Sequence, residues 1–432
     1  MRGAVRRLGG WLLVPMLASA PVAGQVAAQA PTAPIAPSPN RPTAEPGSEL
    51  TVSVLTMGVG AEVWERFGHN AIVVEDRAQG TSIAYNYGMF SFTQENFVLR
   101  FVQGRMTYWM EGFDTDRDLA RYVRRQRSVW QQELDLTPAE RVAMRDALAW
   151  NAREENRYYK YDYYLDNCST RVRDALDRIV GGAIERQSRM PGSGSFRFHT
   201  QRLNTHNPPL YFGLTLLLGA AADRPVTRWE EMFLPLKLRD YLREIRIPDG
   251  AGGFKPLVRV ERALYESDAF PVPDAPPAWF PWFLLLGTAV GGWLAWSGRR
   301  YGITGRGRAG FVIPATIVAL VLGLAGTILA GMWAFTDHVA TSRNQNVLQV
   351  TILALALGVL LPLARPARPG VRRAVRSLAW LVVGLSLAGV LLKLLPVGHQ
   401  VNGQVLALLV PINLGLAFGV QAALRDEPAG PR

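Results

Sequence analysis

Polar and apolar residues are arranged differently in the first and second parts of this 432-residue chain. Between about residues 50 and 270, charged and turn-forming residues recur every few positions. The segments 51–55, 71–75 and 82–87 have the composition of strands, and we predict three strands there. Strands are therefore expected near the beginning of this first part.

Signals for helices follow farther along the first part. The sequence TPAE at 137–140 is a capping box with proline at the first helical position, and it predicts the start of a helix. A second helix is expected to begin at Asn167 or Cys168 and to end at the glycine pair 181–182. Together with the strands, these helices predict an α+β domain over residues 50–272.

Five apolar runs follow, and each is long enough to span a bilayer. They occupy residues 278–296, 311–335, 347–364, 378–397 and 405–424. We therefore predict an all-α transmembrane domain of five helices over residues 278–424, with a cytoplasmic tail at 425–432.

The charge of the intervening loops predicts how these helices are oriented. Loops 297–308 and 365–376 carry four and five arginines, and neither contains an acidic residue. The positive-inside rule places both loops in the cytoplasm. The α+β domain then lies on the other side, which predicts a multi-pass protein of the bacterial inner membrane with a periplasmic N-terminal domain.

The beginning of the chain predicts the same orientation independently. Residues 1–30 combine a basic start, a short apolar core and the small-residue pattern Ala-Gln-Ala, which is typical of a secretory signal peptide. An uncleaved anchor is the alternative, although the apolar core is short for a span. Residues 31–49 are rich in Pro and Ala and predict a disordered linker.

The formal net charge of +12 would by itself favour a nucleic-acid partner. However, the three arginines of the signal segment and the nine of the two loops account for the whole excess. The charge therefore reflects membrane topology, and we expect no nucleic-acid partner. A single cysteine excludes an internal disulfide and a four-cysteine zinc site, and no nucleotide or zinc-protease motif occurs, so we expect neither cofactor nor metal.

Cys168 is the first candidate for chemistry. Helical spacing after it puts the sulfur in the first turn of the second predicted helix. The helix dipole favours a thiolate there, and Arg171 adds positive charge one turn farther on. Asn167 and Ser169 flank the cysteine and could support the thiolate or an oxyanion. A buried structural cysteine is the alternative, but a free thiol is unfavourable in a secreted chain.

A cysteine nucleophile needs a base, and His69 is the strongest candidate. It follows Gly68 and opens a predicted strand, which would mount the imidazole rigidly. A third residue would orient the ring, and Asn86 on the next predicted strand is a candidate. Asn70 and Glu65 are rivals that the sequence does not separate from it. An ordinary histidine at the end of a strand is the alternative for His69.

Two further groups of residues are candidates for substrate binding. Arg105, Tyr108 and Trp109 could line a cleft, with core packing as the alternative. The second group lies in or beside the two outward loops of the predicted membrane domain and consists of Asp337, His338, Asn344, Lys393 and His399. Ionisable residues near membrane depth are candidates for function, and this group could bind a phospholipid head group. Snorkelling of the lysine and an ordinary solvated loop are the alternatives.

Five short motifs resemble those of the Lnb-type periplasmic domain family and its attached membrane region. They are FGHNA at 67–71, YNYG at 85–88, DNCSTR at 166–171, WEEMFLP at 229–235 and TDH at 336–338. Members of that family include lipoprotein N-acyltransferases, so the resemblance implies Cys168 as nucleophile and His69 as base. The order of His before Cys also resembles the permuted papain-like group, which includes lecithin:retinol acyltransferases. Those proteins take acyl chains from phospholipid through a thioester, so a permuted papain-like fold with an antiparallel sheet is implied.

The sequence therefore predicts a membrane-bound, thiol-dependent acyltransferase. We expect a fatty acyl chain to pass from a phospholipid donor to Cys168 and then to an amine, the N-terminal Cys of an apolipoprotein. Two other functions stay open. One is a periplasmic cysteine hydrolase acting on cell-wall peptide or lipid ester, and the other is a non-enzymatic envelope binding protein.

Overall fold

A computed structural model describes residues 45–302, 307–395 and 399–424. The predicted signal peptide, most of the predicted linker and the predicted cytoplasmic tail lie outside the described residues.

The described part of the chain contains eleven strands, most of them before residue 260. They are β1 Leu50–Met57, β2 His69–Asp76, β3 Thr81–Met89, β4 Thr107–Asp114, β5 Val129–Leu134, β6 Tyr158–Lys160, β7 Pro191–Ser195, β8 Pro225–Thr227, β9 Arg246–Pro248, β10 Phe254–Pro256 and β11 Val258–Tyr265. Seven of them form one antiparallel sheet in the order β11-β5-β1-β2-β3-β4-β6.

Fourteen α-helices complete the described residues, with short 3₁₀ turns between some of them. The first nine are α1 Phe97–Gln103, α2 Thr115–Arg124, α3 Pro138–Asn151, α4 Cys168–Ile179, α5 Ala183–Gln187, α6 Phe196–Leu203, α7 Pro208–Leu217, α8 Arg228–Glu231 and α9 Pro235–Leu242. The last five are α10 Phe280–Tyr301, α11 Ala309–Phe335, α12 Ile352–Leu360, α13 Pro369–Leu391 and α14 Gly403–Ala423.

The sheet carries helices on both faces because its central strands are apolar on both sides. Residues such as Val54 and Ile72 pack towards α4, where Val172 and Leu176 complete one core. Alternate positions of the same strands pack in a second cluster against Leu119 and Tyr122 of α2. Burial of this apolar surface on two faces is the main stabilising contribution to the domain.

The elements predicted around the candidate site are confirmed by the structure. The three predicted strands correspond to β1, β2 and β3, and the two predicted helices correspond to α3 and α4. Thr137 and Glu140 form the capping box of α3, and Asn167 is the N-cap of α4. The N-terminal region is therefore an α+β domain with an antiparallel sheet, as predicted.

Strand β11 was not predicted, and it changes the expected order of strands followed by helices. It pairs with β5, although more than a hundred residues separate the two strands. Its sequence VRVERALY has mostly exposed or half-buried side chains, which is typical of an edge strand. None of its eight residues is buried, so its hydrophobic pattern is weak.

The C-terminal region is helical and apolar. Within the described residues, four helices are long and apolar enough to cross a membrane, namely Phe280–Tyr301, Ala309–Phe335, Pro369–Leu394 and Gly403–Ala423. Helix α10 packs closely on α14 where Gly291 meets Gly415. A Cβ atom on Gly415 would lie 2.0 Å from the carbonyl oxygen of Gly291, so only glycine fits this crossing.

The third predicted span, 347–364, is not a single straight helix. Two helical pieces, Val339–Leu348 and Ile352–Leu363, meet at a bend of 45°, and the count reaches five spans only if this pair is taken as one. Thr351 explains the break, since its extended backbone starts a new helix and its side chain accepts a hydrogen bond from the N–H of Leu353.

Candidate active site

Cys168 occupies the first position of α4, and its neighbours hold it there. The side-chain oxygen of Asn167 accepts hydrogen bonds from the backbone N–H groups of Ser169 and Thr170, both at 2.9 Å. The amide nitrogen of Asn167 donates to the carbonyl oxygens of Tyr163 and Phe233, at 3.0 and 2.9 Å. The start of α4 is thereby fixed to two other segments, and the position of the sulfur follows.

His69 is the first residue of β2 and lies beside Cys168 and Asn86. Its Nε2 is 2.8 Å from Oδ1 of Asn86. Asn86 pairs with Ala71 across the strands, and His69 precedes Ala71 by two residues, so the two side chains share one face of the sheet. His69 and Cys168 each shift the pKa of the other, so the thiol lies next to the imidazole, and Nδ1 is the nitrogen left to face it.

The two rivals of Asn86 are held elsewhere. Asn70 donates to the side-chain oxygen of Thr56 at 2.8 Å and points to the other face of the sheet. Glu65 forms salt bridges with Arg125 and, at 3.3 Å, with Arg127. Asn86 is thus the polar partner that the described structure gives to Nε2 of His69.

The electrostatics of the pair favour a thiolate and an imidazolium. Burial by itself raises the pKa of Cys168, but His69 and the backbone N–H groups of Asn70 and Ser169 outweigh it, so the pKa is below its ordinary value. Burial by itself lowers the pKa of His69, but Cys168 and Asn86 outweigh it, so the pKa is above its ordinary value. Both shifts activate the sulfur as a nucleophile.

Sequence reasoning missed Asp118, which supports Asn86 from helix α2. Nδ2 of Asn86 donates to Oδ2 of Asp118 at 3.0 Å, and Arg121 donates to the other carboxylate oxygen at 2.5 Å. Asp118 is buried, although it belongs to a helix whose sequence is highly charged. The only available signal was helical spacing, since Thr115, Asp118 and Tyr122 lie on one face.

A cavity of about 250 Å³ opens beside the Cys168–His69 pair. Eight of its 21 lining residues are aromatic, namely Trp64, Phe67, Phe90, Tyr108, Tyr122, Tyr161, Tyr163 and Phe233. Its charged part contains Glu65, Asp118, Arg121, Arg125 and Arg127. This combination suits a substrate with an apolar portion and an anionic group.

Arg127 is a buried cation with unused hydrogen-bonding capacity. Its Nε donates to the carbonyl oxygen of Gly58 at 2.9 Å, and its guanidinium lies over the ring of Tyr122. Its Nη2 is buried and has no protein partner among the described residues. Since Arg125 already pairs with Glu65, the positive charge of Arg127 is only partly balanced.

Backbone N–H groups supply candidate oxyanion donors, whereas two predicted side chains have other partners. The N–H groups of Asn70 and Ser169 both lower the pKa of the Cys168 thiol, although the N–H of Ser169 also donates to Oδ1 of Asn167 at 2.9 Å. The hydroxyl of Ser169 donates to the carbonyl oxygen of Met232 at 2.6 Å. Arg171 binds both carboxylate oxygens of Asp166, at 2.5 and 2.6 Å, and its guanidinium lies over Tyr159.

Of the predicted substrate-binding residues Arg105, Tyr108 and Trp109, one lies at the cavity and two lie elsewhere. Tyr108 lines the cavity and stacks on Tyr161 with a ring separation of 3.9 Å. Arg105 forms an exposed salt bridge, and the Trp109 indole donates to Glu111 at 2.9 Å. Of these three residues, only Tyr108 is among the cavity-lining residues.

The predicted outward group lies apart from the cavity lining in the described part of the chain. Asp337 forms salt bridges with Arg105 and Lys160, and Nε2 of His338 is 2.8 Å from the carbonyl oxygen of Phe101. Asn344 donates to the carbonyl oxygens at the end of α7. These contacts fasten the α+β domain to the helical region.

Lys393 and His399, the other two members of this group, form no hydrogen bond with the α+β domain in the described part of the chain. Lys393 donates to Gln345 at 2.9 Å and to the carbonyl oxygen of Gln400 at 2.6 Å, both within the helical region. His399 is exposed.

The motif WEEMFLP at 229–235 supports the active-site helix. Its Met232 and Phe233 carbonyl groups accept the hydrogen bonds from Ser169 and Asn167, and Pro235 lines the cavity. Glu231 is buried and accepts hydrogen bonds from Ser193 and Tyr241. This network places the carbonyl groups that anchor the start of α4.

Comparison with known proteins identifies the N-terminal region. No curated protein and no solved structure matches the chain. Residues 44–203, which contain Cys168, His69, Asn86 and Asp118, match the family model of the Lnb N-terminal periplasmic domain. Together with the apolar helices, this match indicates a membrane-associated envelope protein with a periplasmic N-terminal domain.

Proposed function

We propose that the protein is a thiol-dependent acyltransferase of the lipoprotein N-acyltransferase type, with a permuted papain-like catalytic domain. It moves a fatty acyl chain from a phospholipid to Cys168 and then to an amine, the α-amino group of the N-terminal Cys of an apolipoprotein. One observation carries this proposal: Cys168, in the first turn of a helix, lies next to His69, and Asn86 holds the imidazole beside a cavity with aromatic and charged walls.

The first half-reaction forms the thioester. His69 takes the proton of the Cys168 thiol, and the thiolate attacks the ester carbonyl carbon of the donor. The N–H of Asn70, which helps to lower the pKa of Cys168, is the candidate donor to the developing oxyanion. One such donor is worth about 3 kcal/mol of transition-state stabilisation. The carbon–oxygen bond then breaks, and His69 gives its proton to the leaving lysophospholipid.

The second half-reaction transfers the acyl chain. The amine attacks the thioester carbonyl carbon, and His69 accepts a proton from the nitrogen. The carbon–sulfur bond breaks as the amide forms, and the Cys168 thiol is regenerated. No external reductant or oxidant is needed, since every step is an acyl substitution.

The two parts of the cavity support a phospholipid as donor. The aromatic lining suits the apolar chain next to the reacting ester, and the free Nη2 of Arg127 suits the phosphate. A cavity of about 250 Å³ is smaller than the sites that enclose drug-sized ligands. Most of a phospholipid must therefore stay outside, and a membrane-bound enzyme meets this requirement.

The helical region supports a bilayer location for both substrates. Its apolar helices and the arginine-rich loops at 297–308 and 365–376 favour the bacterial inner membrane with the C-terminus in the cytoplasm. A cysteine hydrolase is the second candidate, because the same Cys–His–Asn arrangement can deliver the acyl group to water.

The acyltransferase and the hydrolase differ in the molecule that accepts the acyl group. The purified protein in phospholipid vesicles is incubated with a peptide whose N-terminal Cys carries diacylglycerol on its sulfur and has a free α-amino group. The products are identified by mass spectrometry. We expect N-acylated peptide with the wild type and none with Cys168→Ser. Free fatty acid alone would identify a hydrolase, and neither product would overturn both enzymatic functions.

A further inference from the structure

Helix α1 exposes an unusual amount of apolar surface. Five of its seven residues are apolar, and none of them is buried. Val98 is 72% exposed, and Leu99, Phe101, Val102 and the preceding Phe92 are also exposed. We call these five residues the α1 patch. A contiguous apolar surface of this kind on a folded domain marks an interaction site.

Three hydrogen bonds fix α1 at the end of the membrane helix α11. The hydroxyl of Thr336 donates to the carbonyl oxygen of Val102 at 2.7 Å, and the N–H of Asp337 donates to that of Gln103 at 2.8 Å. Nε2 of His338 is 2.8 Å from the carbonyl oxygen of Phe101. Since α11 ends at Phe335, α1 lies level with the outer end of this span.

Exposed aromatic residues mark the same level on the neighbouring helices. Phe335 is 74% exposed, and Trp333 and Trp282 are exposed near the outer ends of α11 and α10. Tryptophan is enriched at the boundary between hydrocarbon and head groups. The α1 patch is therefore continuous with the lipid-facing surface of the spans, and the acyl-chain region of the bilayer is the partner that fits it.

A chain of aromatic contacts connects the α1 patch to the cavity. Ring centroids lie 6.4 Å apart for Phe101–Phe97, 5.3 Å for Phe97–Phe92, 4.9 Å for Phe92–Phe90 and 5.2 Å for Phe90–Tyr108. Phe90 and Tyr108 line the cavity beside Cys168. A lipid chain could follow this aromatic surface without leaving an apolar environment.

We propose that the α1 patch inserts into the outer leaflet and opens the cavity of Cys168 directly to the acyl chains of the bilayer. The membrane contact is independent of the chemistry, whereas its use as an acyl-chain entrance rests on the proposed function. Arg100, the charged residue of α1, fits this placement, because its guanidinium is held by Thr107 and the carbonyl oxygen of Arg105.

Spin labelling tests the membrane contact without any need for catalysis. Cys168 is the only cysteine of the chain, so Cys168→Ser provides an inactive background for single labels. The full-length protein carries a nitroxide at Val98→Cys and is reconstituted in phosphatidylglycerol–phosphatidylethanolamine vesicles. Ile317→Cys, exposed on α11, is the control in lipid, and Gln79→Cys, in the turn after β2, is the control in water.

The accessibility of each label to oxygen and to a water-soluble nickel complex decides the outcome. We expect Val98→Cys to resemble Ile317→Cys, with high oxygen and low nickel accessibility. A nickel accessibility equal to that of Gln79→Cys would overturn the membrane contact. All three positions are exposed, so none of the labels needs to disturb the core.

A second measurement tests the entrance. The double variant Val98→Asp, Leu99→Asp is compared with Phe254→Asp, which places a charge at an exposed apolar position on the β9–β10 hairpin. We expect acylation of Cys168 from vesicles to fall at least about tenfold in the double variant, because two charges oppose insertion, and to stay at the wild-type rate in the control.

The two measurements separate failure of this inference from failure of the proposed function. An unchanged rate in the double variant would overturn the entrance, whatever the labels report. If the wild type itself is never acylated, the proposed function and the entrance both fail, and the labels still decide whether α1 lies in the membrane.

Discussion

Asp118 accepts a 3.0 Å hydrogen bond from Nδ2 of Asn86, and this contact determines which end of the amide faces His69. With Nδ2 held by the carboxylate, Oδ1 lies 2.8 Å from Nε2 of His69 and requires a hydrogen on that nitrogen. Nδ1 is then free to take the proton of Cys168. The carboxylate on α2 thus sets the tautomer of the base without touching the sulfur.

We expect Asp118→Asn to lower the rate of Cys168 acylation about 10- to 100-fold, the usual cost of removing a group that orients a ligand or base. The acid limb of the pH profile should also move upward, because a misoriented imidazole stabilises the thiolate less. Asp114→Ala is the matched control, since Asp114 caps the same helix and its loss costs about 1 kcal/mol of stability. Equal rates and pH profiles for the two variants would contradict a positioning role for Asp118.

The paired pKa shifts predict how the reactivity of Cys168 depends on pH. The thiolate is the reactive form, and the pKa of Cys168 lies below its ordinary value of 9.0, so alkylation by iodoacetamide should stay fast as the pH falls below 9.0. His69→Gln removes the largest contribution that lowers the pKa of Cys168, so the midpoint of the alkylation rate against pH should move upward. A midpoint that is the same in both proteins would show that His69 does not stabilise the thiolate.

The raised pKa of His69 predicts the alkaline limit of acyl transfer. The imidazolium must protonate the leaving lysophospholipid, and its pKa lies above the ordinary 6.5, so transfer should persist above pH 6.5 and decline only as this proton is lost. A steady-state pH–rate profile with phospholipid vesicles measures this limb. A decline centred at or below 6.5 would contradict the shift.

Gly88 has a specific role because its backbone passes beside the nucleophile. Its φ is +85°, and a Cβ atom there would lie 3.3 Å from the Cβ of Cys168. Gly80, with a φ of +65°, has no atom within 4 Å of such a Cβ. Alanine at either position should cost about 1–2 kcal/mol of stability for the left-handed backbone. Only Gly88→Ala should also slow alkylation of Cys168, and equal alkylation rates would contradict this.

Arg127 should determine the preference for an anionic donor. We expect the wild type to be acylated faster from phosphatidylglycerol than from diacylglycerol, because the free Nη2 binds the phosphate. Arg127→Met should remove most of this preference while acylation from diacylglycerol changes less, and thermal unfolding checks that the variant is folded. A preference that survives the substitution would assign phosphate binding to another residue.

The sequence predicted the parts of the site that lie in strongly patterned elements. His69 opens an apolar strand and Cys168 starts a capped amphipathic helix, so both positions followed from local spacing. The choice among Asn86, Asn70 and Glu65 depended on strand register, which puts Asn86 opposite Ala71 and on the same face as His69. Register across a sheet is a tertiary property that local spacing does not determine.

The roles of several other residues could not be predicted, because they depend on contacts with residues far away in the sequence. Asp118 belongs to a charged helix that resembles a solvated one, and only packing on the sheet buries it. Asp337 and His338 have the composition of a ligand site, yet they bond to Arg105 and Phe101 more than two hundred residues earlier. The bend in the third apolar run arises at Thr351, whose side chain caps a new helix.

The central claim is a thioester at Cys168, and mass spectrometry of the protein and its proteolytic peptides after incubation with phospholipid vesicles, without acceptor, tests it most directly. We predict an added acyl mass on the peptide containing Cys168 that neutral hydroxylamine removes, and no such adduct on Cys168→Ala. A wild-type protein that turns over phospholipid without this adduct, or a Cys168→Ala variant that keeps full activity, would contradict the account.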